Sequence, residues 1–273
     1  MKIYVDNAIA YSINAAKLDA YVTMSSGSHY VVVQSWDSTG YVQKAALNLS
    51  VGTTSSSGTA TVRSKIEEMT GWQSCGSCAG PGGNGATVPY SMKQGQSSPS
   101  FDGNSAMFSI GGTSPYAAAL WWKQLGASST SKNFVYDLYF YIKNPAAAQA
   151  LEFDANQSVG GHKYIMGTQC DIKDHKTWDV FDAAGGKWIS TGIACPAPSA
   201  YAWHHVVLEF QRTSDNRTKF LSVTMDGKKS YINRTYSPKS SSVNELNVAF
   251  QMDGDRYMTD YSVWLDSVKF TYW

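Results

Sequence analysis

The sequence predicts an all-β protein: a two-sheet antiparallel sandwich or jelly roll, led by a smaller β module. Three observations predict it. Short alternating apolar–polar runs such as "NFVYDLYFYI" and "HHVVLEFQR" recur along the chain. Turn-forming clusters such as "AAGGK", "TSDNR", "MDGKK" and "DGDR" separate them. Helical periodicity is nearly absent, and many short strands with such turns are the pattern of a sandwich or jelly roll.

The elements follow in order. "KIYVD" and "AIAYSI" flank Asp6 and Asn7, a tight hairpin turn. "HYVVVQSWD" alternates and ends at Ser38, Thr39 and Gly40, and "YVQKAALNLSV" follows. These strands make a β module over residues 1–51, too few for a closed immunoglobulin-like sandwich of ~100 residues. The start of the chain reads as a strand pair with no apolar signal-peptide region, so further strands or domains are expected before Met1. "GTTSSSGTA", residues 52–60, has the composition of a flexible linker. Limited proteolysis is expected to cut there and release the rest intact. Residues 61–273 form one long β-rich domain. Its Gly-rich stretch 71–86 lacks phosphate-binding spacing and reads as irregular structure. "TSPYAAALWWKQLGA" is expected to hold one helical turn, and "NPAAAQ" to connect strands.

Composition narrows the classes of function. The chain has 273 residues, 43% hydrophobic and only 16% charged, with a formal net charge of +1. Such a balance gives no footing for nucleic acid or an acidic membrane surface. No apolar run reaches the roughly 18 residues of a membrane helix. Low charge with abundant Ser, Thr, Gly, Asn, Tyr and Trp points to a secreted or cell-surface protein. The four cysteines suit an oxidising compartment and permit three connectivities. The favoured pairs are Cys170 with Cys195, closing a hairpin-like excursion, and Cys75 with Cys78 in a tight loop. Zinc would need a second close pair or suitably spaced histidines, and neither follows.

The closing runs "WHHVVLEFQR", "FLSVTMDGKKSYIN" and "VWLDSVKF" resemble the last strands of concanavalin A-like jelly rolls, the superfamily of lectins, carbohydrate-binding modules, β-glucanases and polysaccharide lyases. The resemblance covers roughly residues 60–273, and residues 1–51 resemble part of a bacterial immunoglobulin-like module. It implies a concanavalin A-like fold and a glycan partner, with no cofactor beyond a calcium ion that is left open. β-Glucanases of this superfamily carry E-x-D-x-x-E or E-x-D-x-E on one strand of a concave sheet. Here the stretch reads Glu152, Phe153, Asp154, Ala155, Asn156, Gln157. By resemblance Glu152 would be the nucleophile and Asp154 the residue that tunes it. The position of the proton donor holds an amide, and loss of general acid–base help typically costs a factor of ~10² to 10⁴. A donor would have to come from a neighbouring strand: Asp171, Asp179, Glu209 or Asp253.

Strand alternation puts Glu152 and Asp154 on one face, either a solvated outer face or a functional one. Asn156 would complete the row in a regular strand, and Gln157 if the strand bulges. Trp178 and Trp188 flank a hairpin and are expected to form an exposed platform, while Trp203 and Trp264 read as core. Trp121 and Trp122 are adjacent, so one of them faces a surface or cleft. Gln251 and Asp253 share a face, either beside Glu152 or, with Asp255, as oxygen donors to calcium or as ordinary turn formers. His204 and His205 face opposite ways and cannot chelate one metal together. His175 and Lys173 could serve a lyase, but no lyase motif accompanies them. The reading that follows is a secreted polysaccharide-binding protein using acids, amides and aromatics on a concave sheet face. A glycoside hydrolase is the alternative, and a structural or adhesive module the third.

Overall fold

The computed structural model describes residues 1–18, 20, 22–25, 27–51, 60–76 and 88–273. Expectations for the linker 52–60 and for the Cys75–Cys78 bond fall on segments outside the described residues, apart from residue 60 and Cys75 themselves. The chain divides into two compact units, Met1–Gly58 and Thr59–Trp273.

The first unit is a single four-stranded antiparallel sheet in the order β2-β1-β3-β4. Its strands are β1 (Lys2–Val5), β2 (Ala8–Ser12), β3 (Gly27–Trp36) and β4 (Val42–Val51). Asp6 and Asn7 both adopt positive φ, 50° and 68°. That is the conformation a two-residue hairpin turn requires, and Asx side chains tolerate it best after glycine.

The second unit is a sandwich of two large antiparallel sheets. Its earlier strands are β5 (Thr61–Arg63), β6 (Gln73–Cys75), β7 (Tyr90–Gln96), β8 (Ser105–Ile110), β9 (Ala118–Gln124) and β10 (Asn133–Ile142). The middle of the unit gives β11 (Ala148–Val159), β12 (His162–Asp171), β13 (Thr177–Asp182), β14 (Lys187–Ala194) and β15 (Ala202–Arg212). The last are β16 (Thr218–Met225), β17 (Lys228–Tyr236), β18 (Lys239–Ser240), β19 (Glu245–Gly254) and β20 (Tyr261–Tyr272). One sheet runs β17-β16-β15-β10-β20-β8-β7, with β5 beside β20. The other runs β14-β13-β12-β11-β19-β9-β6, with β18 beside β12. The all-β two-sheet class predicted from the sequence is therefore the one observed. The helical turn expected within "TSPYAAALWWKQLGA" is absent, because β9 takes up Ala118–Gln124 as a strand paired with β19. Backbone bonds to a neighbouring strand override the weak helical preference of the alanines.

The core lies between the sheets and follows from strand alternation. On β10, Phe134, Tyr136, Leu138, Phe140 and Ile142 point inward, and on β15 Val206, Leu208 and Phe210 do the same. Facing them, Leu151, Phe153 and Ala155 of β11 and Val248, Phe250 and Met252 of β19 close the layer. Phe108, Trp121, Phe153 and Phe250 meet with centroids 5.1 to 6.5 Å apart, edge-on or offset. Each such side chain contributes about 1.5–3 kcal/mol by burial. Trp203 and Trp264, expected in the core, lie on the far face of the β10 sheet, where Trp264 is nevertheless buried at 6% exposure. Both pack against Tyr141, at 5.4 and 5.8 Å. Their phase is set by core neighbours: Val206 and Val263 point inward, so residues an odd number of positions away point out.

Cys170 and Cys195 are bonded, with Cα atoms 5.6 Å apart, inside the range a disulfide can span. The bond ties the end of β12 to the end of β14, across the hairpin that carries Trp188. Replacing both cysteines with serine should lower stability by about 2–4 kcal/mol, read as a shift in the denaturant midpoint at constant slope. An unchanged midpoint would mean the hairpin is held by its other contacts alone.

Candidate functional site

β11 sits between β12 and β19, and from Ala150 to Ser158 its register with both is unbroken. With no bulge, alternation holds. Leu151, Phe153, Ala155 and Gln157 face the core, and Glu152, Asp154 and Asn156 face away from it. Directly opposite Glu152 stand Gln169 and Gln251; opposite Asp154, Gly167 and Ala249; opposite Asn156, Ile165 and Asn247. The rows continue outward. Gln169 pairs with Asp179 on one flank. On the other, Gln251 pairs with Leu120, Ala249 with Trp122 and Asn247 with Gln124.

The row through Asp154 has a distinctive shape. Its residues next to Asp154, Gly167 and Ala249, are small. Beyond Gly167 come Phe181 and Trp188, which pair across the β13–β14 hairpin with ring centroids 5.2 Å apart. Beyond Ala249 comes Trp122. Two aromatic walls thus flank a low floor that bears a carboxylate. A Cβ at Gly167 would stand 2.9 Å from the Phe181 Cβ, 3.4 Å from the Trp188 ring and 3.5 Å from Asp154 Oδ1. The glycine is therefore required by space between the wall and the acid, its φ being ordinary. Two cavities follow. One of about 130 Å³ holds Glu152 and Asp154 under Phe181, Trp188, Leu120 and Ile165. The other, about 500 Å³, runs from Asp154 along Trp122, Asn156, Asn247 and Gln124 to Glu245 and Lys163. Asp154 lines both.

Three carboxyl groups share this face: Glu152 and Asp253 with little water around them, and Asp154 half-buried where the cavities meet. Glu152 is 4% exposed and Asp253 2%. The Gln251 side-chain nitrogen donates to Glu152 Oε1 at 2.6 Å and to Asp253 Oδ1 at 2.9 Å. Asp154 Oδ1 accepts the Thr168 backbone N–H at 3.1 Å. Burial, followed by the charges of Asp253 and Asp154, pushes the Glu152 carboxyl well above its ordinary value. Burial also lifts Asp154 to about 7, the Thr168 N–H opposing it, and Asp253 to about 6. Carboxyls raised toward neutrality in a cleft are a mark of functional sites.

The structure brings most of the sequence-chosen residues to one face: Glu152, Asp154, Asn156, Trp188, Gln251 and Asp253. Gln157 is not among them. It is fully buried on the core side, where its amide donates to Ser128 O at 2.7 Å and Ser131 O at 3.0 Å; the bulge that would have turned it outward does not exist. Trp178 is also misplaced as a platform. It is 1% exposed and packs in the core against Phe153, because it lies two residues from core-facing Val180 on the same strand and alternation gives both the same face. Asp253 and Asp255, which one reading makes a pair of calcium donors, each have hydrogen-bond partners of their own. Asp253 turns to Gln251, whereas Asp255 Oδ1 caps the turn by accepting the N–H groups of Tyr257 and Met258 at 2.8 and 3.1 Å. Lys173 lies 3.5 Å from the other oxygen of Asp255. Among the described residues, metal-type donors gather elsewhere, as Asp171, His175 and Asp179 and as Glu67, Glu68 and Asp102. Of the four candidate proton donors, Glu209 sits on the opposite sheet bound to Lys229, and Asp179 is engaged by His175 at 2.8 Å. Asp171 caps the turn after β12, accepting the N–H groups of Asp174 and His175. Asp253 alone of the four shares a hydrogen-bond donor with Glu152. Sequence reasoning did not single out Gly167, Phe181, Ala249 or Asn247. They come from three different strands, and only the cross-strand register reveals them.

No protein-family model matches the chain, and no curated protein matches it. Solved structures do show similarity. A structure of carbohydrate-binding modules from the β-sandwich superfamily aligns over 91% of this chain and 75% of its own, with 9% identity and a TM-score of 0.40. A carbohydrate esterase of the Shiga toxin-encoding bacteriophage phi24B aligns over 78% of this chain and 99% of its own, at 17% identity and a TM-score of 0.48. Peanut lectin aligns over 79% of this chain and 98% of its own, at 12% identity and a TM-score of 0.43. Identities of at most 17% and TM-scores below 0.5 leave the reading of the site to its own geometry.

Proposed function

We propose that the face bearing Glu152, Asp154 and Asn156 is a concave cleft that binds a polysaccharide without cleaving it. One observation carries this reading: Asp154 on a floor of small residues between the indoles of Trp188 and Trp122. Sugar rings present apolar C–H faces to indoles and hydroxyl groups to acids and amides. Asn156, whose amide donates to Asn247 at 3.1 Å, and Gln124, which donates to Glu245 at 2.9 Å, extend a polar strip along the larger cavity. Low charge and the disulfide support a protein that works outside the cell. The first unit reads as part of an immunoglobulin-like module joined to the cleft-bearing unit by a linker. The test is calorimetric titration against a panel of soluble polysaccharides. Trp122→Ala should weaken binding by about 1.5–3 kcal/mol, the worth of a buried aromatic side chain, with the circular dichroism spectrum unchanged. Unaltered binding would remove Trp122 from the cleft.

A second reading, glycoside hydrolysis, is favoured by the shared Gln251 amide. Two carboxyls on one nitrogen, themselves in hydrogen-bond contact, form a close pair of the kind retaining enzymes use. The pair would differ from that of the E-x-D pattern. Burial raises both Glu152 and Asp253, so the pair would share one proton, with one carboxyl serving as acid and the other as nucleophile. Glu152→Gln separates the readings. In a binding protein it should cost on the order of 1 kcal/mol of affinity, one hydrogen bond, with no reducing sugar released by either form. In a hydrolase the unsubstituted chain releases product and the variant loses that release while still binding.

A further inference from the structure

The cleft is rich in acid and poor in base. Among the described residues no Lys, Arg or His nitrogen lies within 4 Å of the carboxyl groups of Glu152, Asp154 or Asp253. Three of the cations nearby are engaged by carboxylates, Lys163 with Glu245 at 3.6 Å, Lys173 with Asp255 at 3.5 Å and His175 with Asp179 at 2.8 Å; Lys239 stands over the Phe181 ring, 5.8 Å from its centroid. Asp171 and Asp179, both buried, add further negative charge along the same sheet. A cleft with low-dielectric walls concentrates such a field. A polyuronate would meet like charges there with no guanidinium to receive it. A neutral glycan would leave the acids in the protonated form that burial favours. A cationic one would draw them into the ionised form, and the indole of Trp188 beside Asp154 offers a second attraction to a positive group.

Resting on the reading of this face as a glycan cleft, we propose that its ligand is a polysaccharide with free amino groups, a glucosamine polymer, whose ammonium seats between Asp154 and the Trp188 ring. Asp154 lines both cavities, so an ammonium there leaves the neighbouring sugar units room along Trp122 and Asn247. The charged and titratable groups around that position are Glu152 on β11, Lys163 on β12, Asp253 and Glu245 on β19, Asp179 on β13 and Lys239 on β18 over the Phe181 ring, with the buried phenol of Tyr136 below. Because burial keeps Asp154 and Asp253 partly protonated near neutrality, seating an ammonium should expel protons. The same contacts make binding weaken as salt rises.

The test compares three β-1,4-linked hexamers on the full chain at pH 6: glucosamine, N-acetylglucosamine and glucose. Titration calorimetry in two buffers of different ionisation enthalpy gives both affinity and proton release. The expected result is binding of the glucosamine hexamer at least tenfold tighter than either other, with net proton release. In Asp154→Asn that ratio should fall to within threefold, and the release should shrink. Equal or tighter binding of the acetylated or glucose hexamer overturns the inference while leaving the cleft reading intact. A preference that disappears in EDTA, the mark of a bridging metal, overturns it likewise. Failure of all three hexamers with binding to another polysaccharide of the panel sinks the inference alone; failure of the whole panel sinks both.

Discussion

Gly167→Val should abolish glycan binding, by 100-fold or more, while the protein stays folded. Valine suits a strand, and the backbone at Gly167 is ordinary, so no conformational penalty arises. The side chain instead enters the slot between Phe181, Trp188 and Asp154, where even a Cβ would stand 2.9 Å from Phe181 Cβ. Overpacking of this kind costs about 1–3 kcal/mol of stability, which a sandwich with this core and a disulfide can bear. The added methyls occupy the smaller cavity of about 130 Å³ and cover the carboxyl that lines both cavities. Calorimetry against the best ligand of the panel, with a melting curve as control, decides the matter. A folded variant that still binds within a few-fold of the parent would place the ligand away from the Asp154 row. A variant that fails to fold would be replaced by Trp188→Ala, which opens the slot and should lose about 1.5–3 kcal/mol of binding.

The strand period is legible in the sequence, and with it much of the site. Glu152 and Asp154 share a face because residues two apart on a strand must, and Gln251 and Asp253 share theirs for the same reason. The period also carries the fold class, since only sheets repeat it so often with tight turns between. Phase and register stay open at that level. Gln157 requires knowing whether β11 bulges. Trp178 and Trp188 belong to one hairpin, yet Trp188 pairs with Phe181, three residues from Trp178, so one indole faces the core and the other the cleft. Trp203 and Trp264 look like core by composition; Trp264 is indeed buried, but both stand on the face turned away from the layer between the sheets. Gly167 and Ala249 matter for being small at one spot, and smallness in a sequence signals nothing until the register shows what stands on either side. Charge isolation is equally hidden: that Lys163, Lys173 and His175 are spent on other carboxylates is a property of distances.

Asp154→Asn should make the protein more stable at pH 8, by on the order of 3 kcal/mol, and nearly indifferent at pH 4.5. The sign follows from the direction in which burial moves the carboxyls. It raises Asp154 from 3.8 to about 7, Asp253 from 3.8 to about 6 and Glu67 from 4.5 to about 7. Between pH 4 and 7 the native chain therefore holds protons that the unfolded chain has released. Stability contributed by these protonated groups is fully present below their unfolded values and is lost as the pH climbs through the folded ones. A carboxyl whose folded pKa stands one pH unit above its unfolded one costs about 1.36 kcal/mol when both states are ionised. Asp154 alone thus accounts for a decline of the stated order, with Asp253 and Glu67 adding to it. Asparagine keeps the shape, and its amide oxygen can still accept the Thr168 N–H, but it has nothing to ionise. The slope of stability against pH should flatten accordingly, measured by denaturant unfolding at pH 4.5, 6, 7 and 8. Stability given up for a buried acid is expected where the acid serves binding or catalysis rather than folding. A variant less stable than the parent at pH 8 would show that ionised Asp154 already has a countercharge in the folded protein. That result would also take away the ground for an ammonium-bearing ligand.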